Sequence, residues 1–308
     1  MSFTYALVIG ASGQVARSLR EHLERKGKTA LFTSSSGKSN YKLDLAEPES
    51  IRGFFSALPV EMRGPNTELF LPGALTHVDR CESEQEFCRK INLDGPKLVA
   101  EQAKLYGMGI TFFSTEYVFG GAEYEGGAIG PFSEEDAPFP TSYYGKCKLE
   151  AEQAILKLDP TALVVRTTMV YSWDPSGLNF FMQFYRRLEQ AQKGAEILAP
   201  FRVPMDQVST PTYAPALAES VLLLRERKIG GIVNLVGPDL LSRKELLERM
   251  ARSFGFQSLA GFEFPLTKQL GQIAKRPLRA GLTSEKARAL GLPIIGLEAA
   301  FAEIKIKI

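Results

Sequence analysis

Tyr5-Ala6-Leu7-Val8-Ile9-Gly10-Ala11-Ser12-Gly13-Gln14-Val15-Ala16 is the stretch that decides the fold. The apolar run 5–9 stops at Gly10, and residues 15–26 then repeat apolar positions at helical spacing until Gly27, so the segment reads as strand, tight turn and amphipathic helix. In such a turn, glycines let the backbone approach a pyrophosphate, and the N–H groups that open the helix donate to it. Gly10, Ser12, Gly13, Gln14 and Val15 are therefore candidate cofactor-binding residues, with Ala16 in the last small position, which serves helix packing. A glycine pair is also an ordinary way to turn tightly; the strand and helix on either side favour the cradle.

Working outward, strand patterns at 29–33, 41–43, 69–71, 110–114 and 163–166 alternate with helical ones at 48–58, about 81–106 and 143–157. That is the pace of βαβ units and predicts an α/β fold, a Rossmann-like doubly wound parallel sheet. Residues 1–166 are assigned to an NAD(P)-binding domain. Residues 167–308 are assigned mainly to a smaller C-terminal α/β substrate lobe, with the chain free to re-cross between the two. The aromatics Phe180, Phe181, Phe184 and Tyr185 recur at helical spacing within a helix predicted over 177–192 and are assigned to packing.

Composition removes several classes. With 44% hydrophobic and 23% charged residues the chain is ordinary for a globular protein, and no apolar run approaches the roughly 20 residues that span a bilayer. The N-terminus runs straight into an apolar strand with no basic segment or cleavage site, so the cytoplasm is expected. A net charge of +2 with only short basic clusters argues against nucleic acid. Cys81, Cys88 and Cys147 lack a Cys-x-x-Cys pair and are expected as free thiols, and His22 and His77 lack ligand-type neighbours, so no metal is expected.

Chemistry enters with Tyr144-Gly145-Lys146-Cys147-Lys148, where a tyrosine and a lysine four residues apart share one helix face and can act on one carbonyl. An unperturbed phenol titrates near ~10, and a neighbouring ammonium lowers that value by stabilising phenolate. Tyr144 is thus a candidate proton donor, and Lys148 its activator and a holder of the cofactor ribose. Thr115, with Ser114 as the alternative, ends a predicted strand and is placed to hydrogen-bond the same carbonyl, while Asn92 either holds a water or fixes backbone. No acid ends the second strand to meet the ribose 2′-hydroxyl of NAD. Ser34 and Lys38 instead suit a 2′-phosphate, which tilts the reading toward NADP(H) over NAD(H), although a Ser-Gly loop is also simply flexible. Asp44 either meets the adenine amino group or caps a turn.

Several of these stretches resemble the extended short-chain dehydrogenase/reductases, and within them the dTDP-4-dehydrorhamnose reductase family. Gly10-Ala11-Ser12-Gly13-Gln14-Val15 is similar to the family's Gly-x-x-Gly-Gln-Leu/Val turn, and Val78-Asp79-Arg80-Cys81-Glu82-Ser83 to its Ala-Val-Asp-x-Ala-Glu. Ser114-Thr115-Glu116-Tyr117-Val118-Phe119 is similar to Ser-Thr-Asp-Tyr-Val-Phe, and Tyr144-Gly145-Lys146-Cys147-Lys148-Leu149 to Tyr-Gly-x-x-Lys-Leu. Arg166-Thr167-Thr168-Met169-Val170-Tyr171, Asp206-Gln207 and Arg276-Pro277 extend the likeness toward the C-terminus.

The resemblance implies reduction of the 4-keto group of a nucleotide-linked 6-deoxyhexose, with Thr115, Tyr144 and Lys148 as the catalytic trio, the glycine turn and Asp44 at the cofactor, and a homodimer left open. Two departures stand out. Leu71-Pro72-Gly73-Ala74 replaces the usual Asn-Ala-Ala strand end beside the cofactor, where Ala74 would take its place, and Met169 stands where rhamnose-forming members commonly present Trp to the sugar. Arg276, with Lys275, is either a diphosphate contact or part of a solvated loop. Two other outcomes stay open: an epimerase or dehydratase of the same superfamily, and a catalytically silent regulatory subunit like the beta subunit of methionine adenosyltransferase.

Overall fold

In a computed structural model, residues 3–37, 39, 41–120, 129–175, 177, 179–195 and 199–308 are described. β1 (Tyr5–Ile9) leads through α1 (Gln14–Arg25) to β2 (Thr29–Ser34) and β3 (Tyr41–Lys42), and α2 (Pro48–Ser56) then carries the chain back to β4 (Thr67–Leu71). A helical stretch follows: α3 (Val78–Ser83), α4 (Gln85–Arg89), a π-helical turn (Lys90–Asp94) and α5 (Gly95–Leu105). β5 (Gly109–Thr115), α6 (Tyr143–Leu158) and β6 (Leu163–Thr167) complete six strands.

The sheet has seven strands, because β11 (Gly231–Asn234) adds itself in parallel beside β6. The order is β3-β2-β1-β4-β5-β6-β11, and every pairing in it is parallel. Strands of such a sheet are covered on both faces, which is why they read as continuous apolar runs. Alternation along β1 sends Leu7 and Ile9 to one layer, with Phe55, Val99 and Ile155 of α2, α5 and α6. Ala6 and Val8 go to the other, with Leu19 of α1 and Leu217, Val221 and Leu224 of α8 (Ala214–Glu226). Residues 214–234 thus lie in the layers built around the sheet of residues 1–166.

The remaining elements are small. β7 (Val170–Tyr171) pairs in parallel with β10 (Thr212–Tyr213), β8 (Phe201–Arg202) in parallel with β13 (Phe262–Glu263), and β9 (Val208–Ser209) antiparallel with β12 (Leu241–Ser242). α7 (Phe180–Gln192), α9 (Arg243–Ser253), α10 (Glu285–Ala289) and α11 (Leu297–Lys305) accompany them. Phe181 and Phe184 are buried in a core of their own with Tyr171, Tyr213, Met250 and Phe301, as their helical spacing predicts. α7 begins at Phe180 and not at 177, because Asn179 Oδ1 accepts the Met182 amide at 3.1 Å and fixes the cap there.

Side chains join the two regions. Gln14 Nε2 donates to Val170 O at 2.7 Å, Ser209 Oγ to Glu116 Oε2 at 2.6 Å, and Asn234 Nδ2 to Phe132 O at 3.1 Å. Under the sheet, Arg166 and Glu152 form a bidentate pair, closest approach 2.7 Å, with both side chains 2% exposed.

Candidate active site

The chain leaves β1 toward β2 and β3 and later returns to β4 on the other side, so a crevice opens beyond the carboxyl ends of β1 and β4. A cleft of about 840 Å³ lies there. Its first wall is the turn, with Gly10, Ser12, Gly13, Gln14 and Val15 all facing it. Gly10 has φ +103°, and a Cβ on it would sit 3.0 Å from Gly73 Cα, so conformation and crowding both require glycine. Gly13 caps α1 without any side-chain hydrogen bond, and the first turn of α1 carries no acid, so the positive end of the helix is left uncompensated toward the cleft. Those features fit the pyrophosphate of a dinucleotide.

Asp44 and Ala74 also face the cleft, and Asp44 Oδ1 accepts the Ala46 amide at 2.9 Å, as a turn-capping aspartate does. Ser34 is displaced from its expected role. Its Oγ accepts from Ser39 N and Oγ at 3.2 and 3.1 Å, and Ser35 faces the cleft instead. Lys38 lies outside the described residues. Asn92, 0% exposed, takes the backbone-fixing alternative: Leu75 N donates to its Oδ1 and its Nδ2 donates to Leu75 O, both at 3.0 Å. The loop from Pro72 to Thr76 is therefore anchored from below.

Thr115 at the end of β5 and Tyr144 and Lys148 near the start of α6 come together on the cleft. Ser142 caps α6 by accepting the Gly145 amide at 3.2 Å. A Cβ on Gly145 would run into the Tyr117 carbonyl, so glycine there lets the helix lie against the turn after β5. Tyr144 and Thr115 then share a hydrogen bond, and Tyr117 packs edge-on at 5.6 Å between ring centroids. Burial pushes the Tyr144 phenol well above its ordinary value, with the Thr115 bond opposing, so the lowering expected from Lys148 is not seen. Lys148 is 2% exposed, its Nζ donates to Phe113 O at 2.6 Å, and it stands 3.9 Å from the Phe112 ring centroid. Burial lowers its pKa to about 7, against the pull of the Glu152 charge. Ser114 Oγ, beside them, is buried without a hydrogen-bond partner among the described residues.

The far wall carries Thr168, Met169, Val170, Phe180 and Arg243. Met169 holds the left-handed conformation, φ 40°, which costs a non-glycine residue of order 1–2 kcal/mol. Glu116 is buried, and burial raises its carboxyl above the usual range while hydrogen bonds from Ser209 and Thr168 oppose the shift. Arg276 does not line the cleft, and its Nη2 pairs with Asp79 Oδ2 at 2.9 Å. The sequence did not single out Arg243 or the second place of Phe180, which borders the cleft as well as the core; Ser35 is one of the serines of the 34–36 run read as suited to a 2′-phosphate. For Arg243 the available signal was a cation at the first position of a helix, where the dipole disfavours it.

All three cysteines converge behind α6. Asn92 Nδ2 lies 3.3 Å from Cys88 Sγ and 3.6 Å from Cys81 Sγ, and hydrogen bonding to Cys88 together with burial holds Cys81 and Cys147 above the thiol range. The thiols are free, and among the described residues no group of His, Cys, Asp and Glu could hold a metal. No helix of the described residues is long and apolar enough to cross a membrane.

Residues 4–304 match the sequence model of the family described as RmlD substrate binding domain. The chain belongs to that family. The dTDP-4-dehydrorhamnose reductase of Escherichia coli (strain K12) is similar at 28% identity over 299 residues, 93% of each chain. The protein of the same description from Mycolicibacterium smegmatis is 29% identical over 238 residues, 77% of this chain, and the match spans 65% of that relative's length. Among solved members, a dTDP-4-dehydrorhamnose reductase from Clostridium acetobutylicum superposes with TM-score 0.80 at 27% identity, covering 98% of this chain and 97% of that one. One from Bacillus anthracis, in complex with NADP, superposes with TM-score 0.84 at 22% identity over 99% and 100%, a likeness of fold.

Proposed function

We propose that this RmlD-family chain reduces the 4-keto group of a nucleotide-linked 6-deoxyhexose, using a nicotinamide dinucleotide. The observation that carries this reading is the convergence of Thr115, Tyr144 and Lys148 on the cleft whose opposite wall is the glycine turn. When bound, the dinucleotide supplies the hydride. The turn from Gly10 to Val15 and the uncapped start of α1 would hold its pyrophosphate, with Asp44, Ala74 and Lys148, which line the same cleft, as the residues that would hold its nucleoside parts. Absence of an acid at the end of β2, with Ser35 facing the cleft, favours NADP(H) over NAD(H).

Reduction places negative charge on the ketone oxygen, and that oxygen must receive a proton. Tyr144 is the donor: its raised pKa keeps it protonated at neutrality, and Thr115, whose one hydroxyl hydrogen is directed at the Tyr144 oxygen, turns that hydrogen to the ketone oxygen when substrate binds. A positioned acid of this kind is worth about 10²–10⁴ in rate. With a pKa near 7, Lys148 can carry a positive charge as the phenolate forms and then return the proton. Met169 and Phe180 form the apolar side of the sugar pocket. Three free buried thiols suit a reducing, cytoplasmic setting.

NADPH absorbance, followed with freshly generated dTDP-4-keto-6-deoxyglucose with and without the 3,5-epimerase, tests this. Oxidation only with the epimerase marks a rhamnose-forming reductase, and oxidation in both tubes marks a reductase of different stereochemistry. Tyr144→Phe should bind NADPH normally and lose turnover. Normal turnover by that variant, or no oxidation with any keto-sugar, would overturn the proposal.

A further inference from the structure

The geometry points to Arg243 as the residue that holds the diphosphate of the nucleotide-linked substrate, an inference that rests on the function proposed above. Arg243 is the first residue of α9, where the helix dipole disfavours a cation. The helix does not need it. Ser242 and Glu245 already complete a capping box, with Ser242 N donating to Glu245 Oε2 at 2.7 Å and Glu245 N to Ser242 Oγ at 3.2 Å. An arginine kept in an unfavourable place, beside a finished cap, is there for something its head group touches.

Buried arginines elsewhere in the chain have carboxylate partners: Arg166 with Glu152 at 2.7 Å, Arg225 with Glu68 at 2.9 Å and Arg276 with Asp79 at 2.9 Å. Arg243, half-buried, differs in making no ion pair among the described residues; its buried Nε has no hydrogen-bond partner there, as one nitrogen of each of the other three also lacks one. The carboxylate whose charge it feels, Glu116, is already held by Ser209 at 2.6 Å and by Thr168. The other cleft cations are committed, Arg80 to Glu84 at 2.9 Å and Lys148 to Phe113 O at 2.6 Å.

Position separates this site from the cofactor's phosphates. Arg243 follows β12, which pairs with β9, and Ser209 of β9 donates to Glu116 just past the end of β5. β5 is two strands from β1, on the order of 10 Å, and the cofactor turn follows β1. A guanidinium that lines the same cleft as Met169, Thr115 and Tyr144 suits the two phosphates that join nucleoside to sugar, because its planar fork bonds phosphate oxygens two at a time.

The test is titration calorimetry of the NADP-saturated protein with dTDP, UDP and thymidine, for wild type, Arg243→Ala and Arg243→Lys, alongside steady-state rates on the keto-sugar. We expect Arg243→Ala to weaken dTDP or UDP by about tenfold or more, to raise KM similarly with kcat within about threefold, and to leave NADPH and thymidine binding unchanged. Arg243→Lys should recover part of the loss. Binding of the diphosphate by Arg243→Ala as tight as wild type, or an equal loss for thymidine, overturns the inference while leaving the reductase reading intact. A wild type that binds neither dTDP nor UDP overturns both.

Discussion

Lys148→Met should make the protein more stable and nearly inactive, and the gain should fade as pH rises. The lysine has an ordinary value of 10.5 and is lowered to about 7 by burial. Because the folded value lies below the unfolded one, the unfolded chain holds more protons between them, and the penalty for burying the ammonium is full below pH ~7 and gone above ~10.5. At about 1.4 kcal/mol per unit, that penalty is about 4–5 kcal/mol at pH 6.5 and about 1 kcal/mol at pH 9.5. Methionine removes it, but also removes the bond to Phe113 O, worth about 1–3 kcal/mol. The net is a gain of about 1–4 kcal/mol at pH 6.5 and, at pH 9.5, between no change and a loss of about 2 kcal/mol. For 308 residues, with an unfolding entropy of about 2.1 cal/mol/K per residue, the acid-side gain corresponds to about 2–6 °C in Tm. Calorimetry of the cofactor-free variant at both pH values, with turnover measured in parallel, reads all of this. A variant less stable than wild type at pH 6.5, or shifted equally at the two pH values, would refute an electrostatically strained Lys148.

Three further outcomes follow from particular contacts. Glu152→Gln leaves the buried Arg166 guanidinium without its partner and should cost about 3–5 kcal/mol in urea unfolding, most of it recovered when Arg166→Met is added. Gly10→Ala meets both a φ of +103° and Gly73 Cα at 3.0 Å, so its NADPH affinity, read by fluorescence titration, should fall at least tenfold with about 1–3 kcal/mol of stability. Asn92→Leu releases both Leu75 backbone groups and should loosen NADPH binding while costing about 2–3 kcal/mol, seen as a lower urea midpoint.

What could be read from the sequence was local or repeated. The apolar run into Gly10 gave the first βα turn, and a Tyr-Lys spacing of four residues gave one functional helix face. Thr115 joined them because a parallel sheet brings all its strand carboxyl ends to one edge. What escaped was decided by distant partners. Arg276 looks like a free cation until Asp79 is brought against it, and Ser34 and Ser35 are indistinguishable until the loop closes on Ser39. The three cysteines lie at spacings that suggest nothing, yet α3, α4 and α6 gather Cys81 and Cys147 around Cys88. Lys148 was read as an activator of Tyr144 on spacing alone, whereas its burial and its bond to Phe113 depend on how deeply α6 sits on the sheet.

β11 has a consequence for how the chain must be made. All five residues of β6 are buried, and β6 gains its second neighbour only when Gly231–Asn234 docks beside it. On a ribosome, six strands exist long before the seventh, so the nascent sheet presents an apolar, unpaired edge, which is a template for pairing with another chain. A fragment ending near residue 166 would keep that edge permanently, together with the layer that α8 should cover, and would aggregate when expressed alone. The later part of the polypeptide thus acts as a built-in chaperone for the earlier part.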